Sequence, residues 1–230
     1  MKLCTTVMLM CINLGIVLLM GCGKKPEKVS VPPLTIVFFG DSITFGYGVD
    51  PETESFYARI RNIMQTGIYG EVRTINAGVS GDDTSEALKR IQTDVVDYKP
   101  DILIIAFGLN DSQNKSMTVK KFRENINTMI SALPPGTQVI LATSNTFLDT
   151  GQSLWKGMNG SLNVYMEEIR TIAREKKLAL IDVNDVWKKQ LKRDQRHMEM
   201  MYIDPTHPSA AGHSLIYESY MNELRRVMKR

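Results

Sequence analysis

At 230 residues, with 43% hydrophobic and 23% charged content, the chain is long enough for one domain with a substantial core, and its composition is neither disordered nor collagen-like. Its 28 basic and 25 acidic residues are interspersed and leave a formal charge of +3, so no basic stripe asks for nucleic acid. The three cysteines, Cys4, Cys11 and Cys22, all lie at the amino end, which excludes a disulfide framework, a thiol nucleophile or a cysteine metal site from the body of the protein.

The chain opens with Lys2 and a mostly apolar run, Leu3 to Met20, that contains no acidic residue and ends in Gly21-Cys22-Gly23-Lys24-Lys25. That pattern reads as a secretory signal sequence. Its end resembles the bacterial lipobox, which implies cleavage before Cys22 and a lipid on that cysteine. Residues 1–21 are then a signal peptide, and the protein is held by its lipid on the outward side of a bacterial envelope membrane, periplasmic or extracellular. The alternative is an uncleaved amino-terminal membrane helix. Residues 22–33, rich in Lys and Pro and without apolar periodicity, suit an extended tether. The tether lysines either touch anionic lipid or belong to a plain spacer.

From Leu34 onward, across 34–230, strand-length apolar runs alternate with amphipathic segments. The runs are Leu34 to Phe39, Val72 to Asn76, Asp101 to Phe107, Gln138 to Ser144 and Leu178 to Val183, rich in Val and Ile and largely continuous, as in parallel strands buried on both faces. Between them, helices are predicted over Ser55 to Gln65, Thr84 to Tyr98, Thr118 to Leu133, Leu162 to Lys177 and Ser209 to Arg230. In the third of these, Val119, Phe122, Ile126, Met129, Ile130 and Leu133 make a helical stripe. Such alternation predicts an α/β doubly wound domain with helices on both faces of a parallel sheet. The aperiodic stretch Asn145 to Gly160 follows the fourth strand and is the candidate for a pocket-forming loop.

In an open parallel sheet ligands bind beyond the carboxyl ends of the strands. After the first strand stands Gly40-Asp41-Ser42-Ile43-Thr44; after the second, Asn76-Ala77-Gly78-Val79-Ser80-Gly81-Asp82; after the third, Gly108-Leu109-Asn110-Asp111. Before the last helix stands Asp204-Pro205-Thr206-His207-Pro208. Singly, each has an ordinary reading: Ser42 caps a helix, Gly81 supplies a positive φ, Asn110 or Asp111 forms an Asx turn, and Asp204 with Pro205 opens the last helix. Jointly they supply a hydroxyl nucleophile, an imidazole base, a carboxylate to orient it and donors for an oxyanion. Phe45 to Gly48, just beyond Ser42, is placed to line an acyl pocket. His197, in a charged stretch, reads as solvated, and His213, inside the last helix, as structural.

These four blocks, in this order from Gly40 to His213, resemble those of the GDSL, or SGNH, hydrolases. The resemblance implies a three-layer α/β/α, flavodoxin-like fold with a five-stranded parallel sheet. It implies Ser42 as nucleophile, His207 as general base and then acid, and Asp204 as its orienting partner. The oxyanion hole would comprise the amides of Ser42 and Gly81 and the side-chain amide of Asn110, with Gly78 as the alternative glycine. Thr206 stands where many members have a bulky apolar residue. No metal or cofactor is needed for this chemistry.

The function so implied is a serine ester hydrolase acting on a small ester or lysophospholipid, with a carbohydrate O-acetylesterase close behind. A non-catalytic surface-binding lipoprotein is the competing class, and it would be expected to have lost Ser42, Asn110, Asp204 or His207. A flavodoxin-like cofactor binder lacks support in the first loop, and Thr44 stands where the G-x-S-x-G elbow needs its second glycine. The oligomeric state is not legible in the sequence.

Overall fold

A computed structural model describes residues 32–149, 157–193 and 200–229. The signal sequence, Cys22, most of the tether and His197 lie outside the described residues. Five parallel strands run β1 (Leu34–Gly40), β2 (Val72–Gly78), β3 (Ile102–Ala106), β4 (Gln138–Ala142) and β5 (Ala179–Ile181), ordered β2-β1-β3-β4-β5. This is the flavodoxin-like order, whose switch point lies between β1 and β3. The helices are α1 (Ser42–Phe45), α2 (Phe56–Gln65), α3 (Thr84–Asp94), α4 (Val119–Ser131), α5 (Met158–Lys176), α6 (Val183–Arg193) and α7 (Ala210–Met228). Helices α3, α4 and α5 pack in sequence beside one another, while α2 and α6 flank α7. Among the described residues, no helix is long and apolar enough to cross a membrane.

The central strands owe their continuous apolar pattern to burial on both faces. Ile36, Val37, Phe38 and Phe39 of β1 and Leu103 and Ile105 of β3 are fully enclosed, and Phe38 stacks on Tyr220 of α7. The expectation of two-sided burial fails for β2, an edge strand whose Arg73 is exposed and whose Thr74 to Asn76 are half-buried. The fifth strand is also shorter than expected. It ends at Ile181, because the Asp182 carboxylate accepts the amide of Asp185 and turns the chain into α6. That helix is not among the predicted ones; of its described side chains Val183, Asn184 and Trp187 are buried, within a polar, Lys-rich run. The second predicted helix breaks at Asp94 and continues as a 3-10 turn, Val96–Tyr98.

The parallel register sets the floor of the site. Gly78, Gly40, Ala106, Ala142 and Ile181 fall in one row across the carboxyl edge of the sheet. A Cβ on Gly40 would stand 2.1 Å from the Thr44 hydroxyl, and one on Gly78 2.3 Å from the amide nitrogen of Phe45. Real Cβ contacts are never so close, so the two glycines are what allow α1 to rest on the sheet edge.

Candidate active site

Helix α1 is a single turn whose cap is Asp41, not Ser42. Asp41 Oδ1 accepts the amide of Ile43 at 3.0 Å from an extended backbone, leaving the Ser42 hydroxyl uncommitted to capping. The carbonyl of Ser42 accepts the amides of Gly46 and Tyr47 at 3.0 and 2.9 Å, and Gly46 closes the turn at φ 93°. The nucleophile candidate is therefore fixed on both sides, and it is nearly buried at 3% exposure.

Asp204 does not open the last helix, which is capped by Ser209. It organises a loop instead. Its Oδ1 accepts the amides of Thr206 and His207, each at 2.7 Å, while Oδ2 faces His207 Nδ1 at 2.7 Å. With the Nδ1 proton directed at the carboxylate, Nε2 is the acceptor, and it lies 3.0 Å from Ser42 Oγ. Burial alone would raise the Asp204 carboxyl, but the His207 and Thr206 amides and the imidazole donate to it and hold it below its usual range.

The stretch after β4 supports this loop. Asn145 Nδ2 donates to Thr206 O at 2.9 Å, and the Leu148 amide donates to Pro205 O at 2.8 Å. Tyr202 donates to Thr146 O while accepting from Trp187 Nε1 at 2.7 Å. Of the stretch Asn145 to Gly160, expected to form a pocket, residues 145–149 brace the histidine loop and do not line the cleft at Ser42, while Asn145 lines a separate small cavity with Asp41 and Thr44; 150–156 lie outside the described residues. Thr206 is held at both its amide and its carbonyl, and is buried.

On the opposite side, Gly81 adopts φ 88° in a turn closed by Asp82 N donating to Val79 O. Gly78 is differently employed: its amide already donates to Asn76 Oδ1 at 2.9 Å, and its missing side chain is the seat of α1. Asn110 donates one Nδ2 hydrogen to Asp82 O at 2.8 Å, and its second remains available toward the site. Its neighbour Asp111 is buried below, accepting from Thr84 Oγ1 and from the amides of Thr84 and Gly108. Burial pushes the Asp111 carboxyl up to about 6 against the pull of those donors.

These elements enclose an open cleft of about 390 Å³ lined by Ser42, Tyr47, Ser80, Gly81, Asn110, Gln113, Thr206 and His207. The Tyr47 ring stands 4.4 Å from the His207 ring, tilted by 44°, and is 48% exposed. Phe45 also is exposed but is not part of the wall. Ser80 and Gln113 were not singled out in the sequence; Gln113 sits three residues beyond Asn110, and nothing but that spacing marks it. His213 is fully enclosed, accepting the Phe56 amide on Nδ1 at 3.3 Å, so it does not enter the cleft. Among the described residues, no cluster of three or more His, Cys, Asp or Glu side chains is arranged to hold a metal ion.

The model of the GDSL-like lipase/acylhydrolase family matches residues 38–215. An acetylxylan esterase of Geobacillus stearothermophilus is 23% identical over 208 residues, covering 82% of this chain and 93% of that enzyme. YqeF, an uncharacterized lipoprotein of Bacillus subtilis, is 38% identical over 96 residues, a match that spans 40% of each protein. The crystal structure of a catalytic mutant of Axe2, an acetylxylan esterase from Geobacillus stearothermophilus, superposes with a TM-score of 0.70 at 20% identity, covering 83% of this chain and 94% of that one. The fold is shared with that structure.

Proposed function

The chain belongs to the GDSL-like lipase/acylhydrolase family, and on that premise we propose that it is a serine carboxylic ester hydrolase that removes short acyl groups, acetyl first, from a polyhydroxylated carrier. The observation behind the reading is the unbroken relay from Asp204 Oδ2 to His207 Nδ1 at 2.7 Å and from His207 Nε2 to Ser42 Oγ at 3.0 Å.

In this mechanism Nε2 of His207 takes the Ser42 proton as Oγ attacks the ester carbonyl carbon. The carbonyl oxygen gains negative charge, and the amides of Ser42 and Gly81 with Asn110 Nδ2 stabilise it; losing one such donor raises the barrier by about 2.7–4 kcal/mol. The tetrahedral intermediate collapses, the bond to the alcohol oxygen breaks, and His207 returns its proton to that oxygen. Water then attacks the acyl-serine with His207 again as base, releasing the acid and restoring the Ser42 hydroxyl. Asp204 stays ionised throughout and holds the imidazole tautomer, which its lowered pKa supports.

The substrate preference rests on the wall of the cleft. Among the described residues, those lining it carry no aliphatic and no charged side chain, and Ser80, Gln113, Thr206 and Tyr47 supply neutral hydrogen-bonding groups. Such a set of neutral hydrogen-bonding groups suits sugar hydroxyls. Two esterases acting on acetylated xylan among the relatives point the same way. A lysophospholipid is the second reading, favoured by exposed Phe45, Val79 and Ile203 in the loops that bear the site. Hydrolysis of nitrophenyl esters from acetyl to long acyl, by the wild type and Ser42→Ala, tests both: Ser42-dependent turnover that falls steeply beyond butyryl supports the glycan reading, and rising turnover with chain length refutes it.

The lipobox-like segment supports an envelope location with Cys22 acylated, and the lipoprotein relative agrees with it. Fatty-acid labelling lost in Cys22→Ala is the expected result, and label retained in that variant would refute it.

A further inference from the structure

We propose that Arg90 is a positioning residue for the oxyanion hole. The inference rests on the oxyanion assignment above. Arg90 lies on α3, outside the cleft, with its side chain 16% exposed. Its guanidinium faces Phe39 at 4.6 Å from the ring centroid and serves four acceptors at once. Nε donates to Asp82 Oδ2 at 2.6 Å, Nη1 to Ala77 O at 2.9 Å and to Asp94 Oδ2 at 3.0 Å, and Nη2 to Gly40 O at 3.0 Å.

Asp94 lies on the same helix, four residues on; the other three acceptors each lead to an oxyanion donor. Gly40 ends β1 two residues before Ser42, and its carbonyl also accepts the amide of Val79, where the Gly81 turn begins. Ala77 is the penultimate residue of β2, at the root of the same turn. Asp82 follows Gly81 directly, and its main-chain carbonyl accepts the Asn110 side chain at 2.8 Å. One planar fork therefore joins the ends of β1 and β2 to the residue between Gly81 and Asn110. A lysine cannot reproduce this, because its single nitrogen carries no fixed fork and reaches the two strand-end carbonyls and Asp82 only in part. Without the fork the Gly40 carbonyl keeps only the Val79 amide, and the Ala77 carbonyl and Asp82 carboxylate lose their tie to it, so the turn carrying Gly81 is freed to shift.

Were Arg90 merely a clamp on α3, its loss would lower stability and leave turnover per folded molecule intact. As a positioning residue, it affects kcat. The experiment measures kcat, KM, melting temperature and the pH profile on an acetyl ester for wild type, Arg90→Lys, Asn110→Ala and the double variant. Arg90→Lys is expected to lower kcat by 10- to 100-fold, on the order of a mispositioned transition-state donor, with KM changed less than about threefold and the pH profile unmoved. The double variant is expected to be at least about fivefold faster than the product of the single losses, since both changes strike one device. Multiplicative losses, or kcat of folded Arg90→Lys within about threefold of wild type, overturn the proposal. If Arg90→Lys does not fold, Asp82→Ala, which keeps the main-chain carbonyl, takes its place: a kcat loss of about fivefold or more supports the proposal and an unchanged kcat overturns it. Full activity in Asn110→Ala would remove the oxyanion assignment and this inference together, whereas a slow Asn110→Ala beside a normal Arg90→Lys removes this inference alone.

Discussion

Ser42 Oγ and His207 Nε2 meet at 3.0 Å although 165 positions separate them in the chain. No local element makes that contact; β1 delivers the serine and the Asp204-braced loop delivers the imidazole. Replacing either side chain by Ala should lower kcat/KM on an acetyl ester by about 10⁴-fold or more, with an unchanged circular dichroism spectrum. Asp204→Asn should lose about 10⁴-fold, because an amide can hold the imidazole in the wrong tautomer. Retention of a tenth of wild-type activity in any of the three would refute the relay.

The two candidate glycines make opposite demands. Gly81 has open space around a would-be Cβ but a φ of 88°, so Gly81→Ala faces backbone strain of about 1–2 kcal/mol and moves the amide it presents. Gly78→Ala would drive a Cβ into the Phe45 amide nitrogen at 2.3 Å, and α1 must lift. Gly81→Ala is thus expected to lose kcat with a shift of a few degrees in melting temperature, and Gly78→Ala to lose far more thermal stability. Paired melting and kinetic measurements check this; a stable, slow Gly78→Ala beside a fast Gly81→Ala would exchange their roles.

Much of this site is legible in the sequence because its residues follow predicted strands directly. Ser42, Gly81 and Asn110 each stand within a few residues of a strand end, where a parallel sheet places its ligands. What the sequence hides is non-local. Asn145 acts through a bond to a carbonyl 61 positions away, and Arg90 looks like any arginine on a surface helix until Gly40 and Ala77 are seen beside it. Helix α6 escapes because the apolar run expected as the fifth strand extends through Val183, which is the first residue of the helix. Strand β2 is hidden in the same way: Arg73 near its start hints at an edge, but only pairing shows that β1 has neighbours on both sides and β2 on one.

Tyr47 is held at its backbone amide by the Ser42 carbonyl and exposed at its ring, beside the imidazole. An aromatic face so presented can carry a sugar ring, a contact of about 1 kcal/mol. Tyr47→Ala should therefore raise KM about fivefold for an acetylated oligosaccharide and little for nitrophenyl acetate, while Tyr47→Phe keeps most of the affinity. Equal kcat losses on both substrates would instead assign the ring to holding His207.

Two buried groups titrate in opposite senses. Burial, with the charge of Asp111 adding to it, pushes the Asp41 carboxyl up to about 7 against the bond from Ile43. Burial, aided by Arg59 and His207, holds His213 down to about 4. Between pH of about 4 and 7 the folded state keeps the Asp41 proton that the unfolded chain loses, so its contribution to stability is full below its unfolded pKa and declines as pH rises. His213 behaves inversely: its contribution is full above an ordinary histidine pKa and declines as pH falls toward 4, because the unfolded chain binds the proton first. Asp41→Asn keeps a cap for α1 and should gain on wild type by up to about 1.4 kcal/mol per pH unit as pH rises through that window. His213→Gln should gain on wild type as pH falls from about 6.5 to about 4. Urea unfolding at a series of pH values measures both differences, and curves running parallel to wild type would show that neither group is held away from its ordinary pKa.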